Sequence, residues 1–153
     1  MGRRVLVVGG GGREHALCLA LHESASISEI HTTPGNAGTR HYGRNHDVSA
    51  SDIDGLVELT KHLEVDFVVV GPEAPLCEGL ADRLIENGVP CFGPQQMHAE
   101  LEGSKLFAKK AMDAAGVPTA EYDVLDAKTD IKACLDARSQ YPWVIKRDVL
   151  AGG

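Results

Sequence analysis

The chain has 153 residues, 43% of them hydrophobic and 24% charged. That is enough for one ordinary domain or a small domain plus the start of another, and too apolar for a disordered polymer. Lysines and arginines number 15 against 22 acids, a net charge of −7. Non-specific nucleic-acid binding is disfavoured, because a polyanion needs a cationic face, whereas a local basic patch for a small phosphate stays open. The four cysteines, Cys18, Cys77, Cys91 and Cys134, are scattered and form no C-x-x-C pair. They read as buried thiols of a reducing cytosol, not as a disulfide frame or zinc site.

Taken in order, the first ninety or so residues alternate strand and helix. Val5–Val8 is a short, continuous apolar run leading into glycines, the mark of a buried parallel strand and too short for a signal-peptide core or a membrane span. The Gly2 of a myristoylation motif would need Ser or Thr at position 6, where Leu6 stands. Helical spacing of Ala16, Leu17, Ala20 and Leu21 predicts a helix over 14–21, and Ile27–Thr32 a second strand. Residues 34–38 read as a loop. Ser51 or Asp52 can cap a helix carrying Ile53, Leu56, Val57, Leu59 and Leu63. Asp66–Val70 reads as another buried strand, 76–86 as one helix stopped by Asn87 and Gly88, and Val89–Phe92 as a short strand that Pro90 assigns to a sheet edge. This order implies an open parallel α/β sheet with helices on both faces. Beyond residue 95 the texture changes: helices are expected over 95–101, 103–115 and 129–139, and strands over 120–125 and 143–146. Domains are expected at 1–102 and 103–153.

Four turns would lie at one edge of that sheet, where open α/β sheets bind ligands. Gly9, Gly10, Gly11 and Gly12 precede Arg13 and Glu14 between a strand and a helix. Glycines allow close backbone approach, a helix N-terminus favours phosphate, and Arg13 adds a charged donor; the alternative is a tight turn without ligand. The dinucleotide pattern G-x-G-x-x-G fails, since Glu14 or His15 holds its third glycine position, and no acid follows the second strand. A mono-phosphate ligand is favoured over NAD. Pro34–Thr39 forms a second turn, pocket wall or ordinary loop. In the third, Gly71, Pro72 and Glu73, the acid either holds ribose hydroxyls or caps the next helix. Gly93 and Pro94 close the fourth. Lys105 and Lys146 each stand near an element end, as phosphate contacts or as surface lysines; the G-x-x-x-x-G-K-[ST] loop is absent. The seven histidines show no metal-ligand spacing, and no catalytic Ser/His/Asp or Cys/His arrangement is visible.

Together these stretches resemble the phosphoribosylamine–glycine ligase family. The match runs through VLVVGGGGREHAL (5–17), PGNAGT (34–39), VVVGPEAPL (68–76), LEGSKLFAK (101–109), GVPTA (116–120) and VIK (144–146), in that order over the whole chain. The resemblance implies an ATP-grasp ligase: a Rossmann-like N-terminal α/β domain followed by the start of the ATP-grasp domain. Its reaction joins glycine to 5-phosphoribosylamine with ATP and Mg²⁺, giving glycinamide ribonucleotide, ADP and phosphate through a glycyl phosphate, in purine synthesis in the cytoplasm. Carried over by position, Gly10, Gly11, Gly12, Arg13 and Glu14 would face the phosphoribosyl group. Asn36, Gly38 and Thr39 would shape its pocket, and Gly71, Pro72 and Glu73 would approach the ribose. Lys105, Lys146, Gly152 and Gly153 would contact ATP. Partners would be small-molecule substrates, with no nucleic acid or membrane.

Residues 146–153 read KRDVLAGG, where Arg147 and Val149 replace small residues of the family pattern. The family's metal carboxylates and glycine site would lie beyond residue 153. The chain is therefore expected to be a partial sequence that does not catalyse ligation alone, with its last fifty residues less stable than the rest. Two competing readings are a different ATP-grasp carboxylate–amine ligase and a non-catalytic phosphosugar-binding module.

Overall fold

The computed structural model describes residues 2–137 and 142–150. They divide into two compact units that meet between Gly103 and Ser104 in the chain.

The first unit is a five-stranded parallel sheet with strands β1 (Arg3–Gly9), β2 (Ile27–Pro34), β3 (Arg44–Asn45), β4 (Phe67–Val70) and β5 (Cys91–Phe92), in the order β3-β2-β1-β4-β5. Central β1 reads as an unbroken apolar run because both its faces are covered. Leu6 and Val8, with Val68 and Val70 of β4, pack beneath α2 (Ile53–Leu63) and α4 (Leu80–Glu86), through Leu56, Val57, Leu80 and Leu84. Val5, Val7, Ile30 and Val69 face the other way, onto Leu17, Cys18 and Leu21 of α1 (Gly12–His22). Asp52, one of the two residues expected to cap α2, does so by accepting from the Gly55 N–H at 3.0 Å. Pro90 precedes β5, which is indeed a sheet edge.

The helix expected over 76–86 is two helices, α3 (Ala74–Cys77) and α4. Gly79, at φ +87°, turns the backbone into the left-handed region and ends the first ladder. A 3-10 turn at Thr39–His41 and the two-residue β3 were not anticipated, since neither is long enough to show a period. Helix α5 (Gln96–Gly103) closes the unit.

The second unit holds α6 (Lys105–Ala115) and α7 (Ile131–Ala137). The strands expected over 120–125 and 143–146 are absent; both stretches are irregular. A strand needs a neighbour for its ladder, and these have none among the described residues. Val124, Val144 and Ile145 stay 59%, 73% and 75% exposed.

Candidate functional site

Because the sheet is parallel, the turns that follow its strands all emerge at one rim. The sheet order reverses between β1 and β4, so the chain leaves these neighbours in opposite directions and opens a crevice at their carboxyl ends. The turn after β1, the turn after β2 and the turn after β4 meet there. Gly35 N–H donates to Gly9 O at 3.1 Å and Gly71 N–H to Val8 O at 2.9 Å.

The β1 turn runs directly into α1, which starts two residues earlier than its apolar spacing suggests. In any α-helix the first N–H groups, here those of Gly12, Arg13 and Glu14, lack intrahelical partners and carry the positive end of the dipole. A methyl added at Gly12 would meet nothing, so this turn faces open space. The Arg13 side chain is 61% exposed and Glu14 only 5%. Arg13 Nε donates to Glu14 Oε1 at 3.2 Å, and its Nη2 lies 3.7 Å from Glu73 Oε2. Glu73 stands at the first residue before α3 yet makes no side-chain cap; it turns toward Arg13 instead. Pro72 packs its ring against Gly9.

The β2 turn is tied down from within. Asn36 Nδ2 donates to the carbonyls of Gly10 and Gly11 at 3.0 and 3.1 Å, while its Oδ1 accepts from the N–H groups of Gly38 and Thr39 at 2.7 and 3.0 Å. Thr39 is fully buried, its hydroxyl within 2.9 Å of Asn36 O and Asn45 Oδ1. Asn45 Nδ2 donates to Asn36 O at 2.8 Å. Asn45 is a residue that the sequence does not single out, sitting in a strand of two residues; its side chain fills the space beside Gly35, whose φ is +69°. The structure thus brings Gly10–Glu14, Asn36, Gly38, Thr39 and Gly71–Glu73 to one rim. It gives Arg13, Gly12 and Glu73 to the outside, and Glu14 and Thr39 to the scaffold beneath.

Next to Asn45, His46 Nε2 and His31 Nδ1 are 3.0 Å apart, and His31 Nε2 is 3.3 Å from Glu29 Oε1. Burial lowers both imidazole pKa values; His31, Arg44 and His62 lower His46 further, while Arg44 and Arg4 lower His31 against an opposing pull from Glu29. A histidine held neutral in the folded state gives its full contribution above the ordinary imidazole pKa of about 6.5 and loses it as pH falls toward the lower folded-state value. The melting temperature should therefore hold between about pH 8 and 6.5 and fall below that. In H46Q, thermal scans over the same range should show a shallower fall; an unchanged slope would exclude the pair as its source.

The cysteines offer no nucleophile at this rim. Burial pushes Cys91 up to about 11 and raises Cys18 and Cys77 as well. A hollow of about 340 Å³ between His22, the start of β2 and Tyr42–Arg44 opens at the opposite, amino-terminal end of the strands and shares no residue with the rim.

In the second unit, Lys105 begins α6 and donates from Nζ to Val149 O at 2.7 Å. Asp148 accepts from the Leu106 N–H at 3.1 Å and from the Ser104 hydroxyl; the Leu106 amide is the main cause of a carboxyl pKa below the usual range. The stretch just after exposed Lys146 is thereby fastened to the start of α6. Gly152 and Gly153 lie outside the described residues. No group of three or more His, Cys, Asp or Glu side chains that could hold a metal occurs among the described residues, and none of their helices is long and apolar enough to cross a membrane.

Comparison with known proteins places this geometry in a family. The model of the phosphoribosylglycinamide synthetase N domain matches residues 3–102. Phosphoribosylamine–glycine ligases of Streptomyces coelicolor and Mycobacterium bovis are 47% and 44% identical, each over 98% of this chain. The chain spans about a third of their length, 36%. The crystal structure of the Thermotoga maritima phosphoribosylamine–glycine ligase superposes with a TM-score of 0.73 at 33% identity, over 96% of this chain and 33% of that one. The N5-carboxyaminoimidazole synthetase of Staphylococcus aureus, crystallised with ADP, shares the fold at a TM-score of 0.72 and 15% identity, over 99% of this chain and 40% of its own.

Proposed function

We propose, from the premise that this chain belongs to the phosphoribosylglycinamide synthetase family, that it supplies the phosphosugar-binding part of an ATP-dependent ligase joining glycine to 5-phosphoribosylamine. One observation carries the reading: an exposed arginine and the free N-terminal N–H groups of α1 stand at the point where three glycine turns converge. That arrangement suits a phosphate monoester, with the Glu73 carboxylate, 3.7 Å from Arg13 Nη2, alongside as an acceptor for ribose hydroxyls.

The reaction needs an activated acyl group, because a carboxylate does not release oxide to an amine. ATP transfers its terminal phosphoryl group to the glycine carboxylate. The amine of 5-phosphoribosylamine then attacks the carbonyl carbon, the C–N bond forms and phosphate leaves, giving glycinamide ribonucleotide, ADP and phosphate. The residues of the first unit would anchor the phosphate and ribose so that the amine is presented in one orientation; positioning of this kind accounts for a large part of such rate enhancements. Residues 1–102 would form this substrate domain, and residues from 103 on would open the ATP-binding one. There, Lys105 and Lys146 would meet the nucleotide as point charges, with Gly152 and Gly153 following. ATP and Mg²⁺ are the expected co-substrate and metal; among the described residues no cluster of three or more His, Cys, Asp or Glu side chains could hold the metal. The setting is cytoplasmic and the partners are small molecules.

Titration of the 153-residue chain with ribose 5-phosphate tests the reading. Amide resonances of Gly10–Arg13, Gly71 and Glu73 should shift, and R13A should weaken binding about 10- to 100-fold, as for other charge-assisted phosphate contacts. Shifts clustered instead around Tyr42–Arg44, or an R13A chain that binds as well as the parent, would refute it.

A further inference from the structure

The rim contains a carboxylate where an anion-binding turn would be expected to exclude one, and its placement explains two glycines at once. Glu14 is the third residue of α1, and it points inward. Its Oε2 accepts from the Gly11 N–H at 2.6 Å and its Oε1 from Arg13 Nε at 3.2 Å. A carboxylate turned toward a bound phosphate would repel it, whereas this one is buried behind the turn.

The room it occupies comes from two different strand ends. A methyl on Gly9 would lie 2.7 Å from the Glu14 Cγ and Cδ atoms, and a methyl on Gly71 would overlap Glu14 Oε1. Gly9 ends β1 and Gly71 follows β4, so the side chain lies in the seam where the sheet order reverses. These glycines therefore make space for an internal side chain as well as for a ligand.

Arg13 gains its orientation from the same contact. A guanidinium has five N–H donors in a fixed fork. Glu14 engages the Nε and Glu73 lies nearest one terminal nitrogen. The other terminal nitrogen makes no hydrogen bond or ion pair with either acid. A long, flexible side chain loses much of its rotamer freedom when it binds, and fixing it beforehand lowers that cost.

We propose that Glu14 is a positioning residue, whose buried carboxylate holds the Gly9–Gly12 turn and aims Arg13 over the rim without touching the ligand. This rests on the phosphosugar reading above. If Glu14 acts through Arg13 and the turn, its loss harms the phosphate grip and nothing else. If it touched the sugar, its loss would be felt only by ligands that carry one.

The test compares inorganic phosphate with ribose 5-phosphate on the 153-residue chain and its variants, together with solvent exchange of the Arg13 Nε–H observed by NMR. E14Q keeps the size of the side chain and removes its charge. It should weaken both ligands by the same factor, about ten-fold, and speed exchange at Arg13 Nε–H. The double variant R13Q/E14Q should lose less than the sum of the two single losses, because part of the E14Q effect passes through Arg13. G71A, which presses on the carboxylate from the β4 side and leaves Glu14 chemically intact, should reproduce the pattern should E14Q fail to fold. Loss confined to ribose 5-phosphate, additive losses in the double variant, or unaltered Arg13 Nε–H exchange would overturn the proposal. A parent chain that bound neither ligand would refute the phosphosugar reading instead; the positioning role would then stand or fall on the Arg13 exchange alone.

Discussion

Replacing Gly9 with alanine should cost about 2–6 kcal/mol of folding stability and remove phosphosugar binding at the same time. The two contributions have separate origins. Gly9 has φ +126°, where a side chain adds about 1–3 kcal/mol of backbone strain. Its methyl would also sit 2.7 Å from Glu14 and 2.9 Å from Pro72, an overpacking of a type that usually costs about 1–3 kcal/mol. Relief requires moving Glu14, and with it the Gly11 N–H and Arg13. Urea unfolding should show a lowered midpoint with unchanged slope, since the surface exposed on unfolding is the same. A companion substitution, G12A, places a methyl in open space at the first turn of α1. It should leave stability nearly unchanged or slightly raised, because alanine is the better helix former. If Gly9→Ala were as mild as Gly12→Ala, the packing of Glu14 against the turn would not matter as described.

That contrast bears on how much the sequence discloses. The rim is legible because β1 and β4 are apolar runs covered on both faces, and each leads into glycine; an alternating order of strands and helices then puts the turns at a common edge. The ordered set of motifs made the family legible as well. What the four glycines do individually is not legible. Gly9 yields to a side chain five residues later and Gly12 faces open space, although they stand in one unbroken run. The inward direction of Glu14 follows from the seam between β1 and β4, which no local pattern encodes. Asn45 is hidden for a different reason: β3 is two residues long, too short for alternation to mark it, and its side chain matters only once the Pro34–Thr39 loop folds over it. The same dependence on partners runs the other way at 120–125 and 143–146. Their β-branched residues favour strands, but propensity cannot supply a neighbouring ladder.

The sharpest probe of the scaffold is an exchange of one atom type at Asn36. Its amide reads two chemically opposite surfaces: the nitrogen faces the carbonyls of Gly10 and Gly11, and the oxygen faces the N–H groups of Gly38 and Thr39. Alanine removes four hydrogen bonds. At a net value of about 0.5–1.5 kcal/mol each, and with water able to replace some at this half-buried position, about 2–3 kcal/mol should be lost. Aspartate keeps the size and the oxygen that receives Gly38 and Thr39, but sets a second, negatively charged oxygen against two carbonyl oxygens. A surface polar position would tolerate that change within about 0.5 kcal/mol; here N36D should lose at least as much as N36A. The turn after β2 would then be held to the turn after β1 only by the bond from the Gly35 N–H to the Gly9 carbonyl, so ribose 5-phosphate affinity should fall in both variants even at temperatures where they remain folded. Urea midpoints and ligand titrations on the two proteins decide the matter. An N36D chain as stable as the parent would mean that the two turns are held together by the sheet alone, and that the rim is not clamped by this side chain.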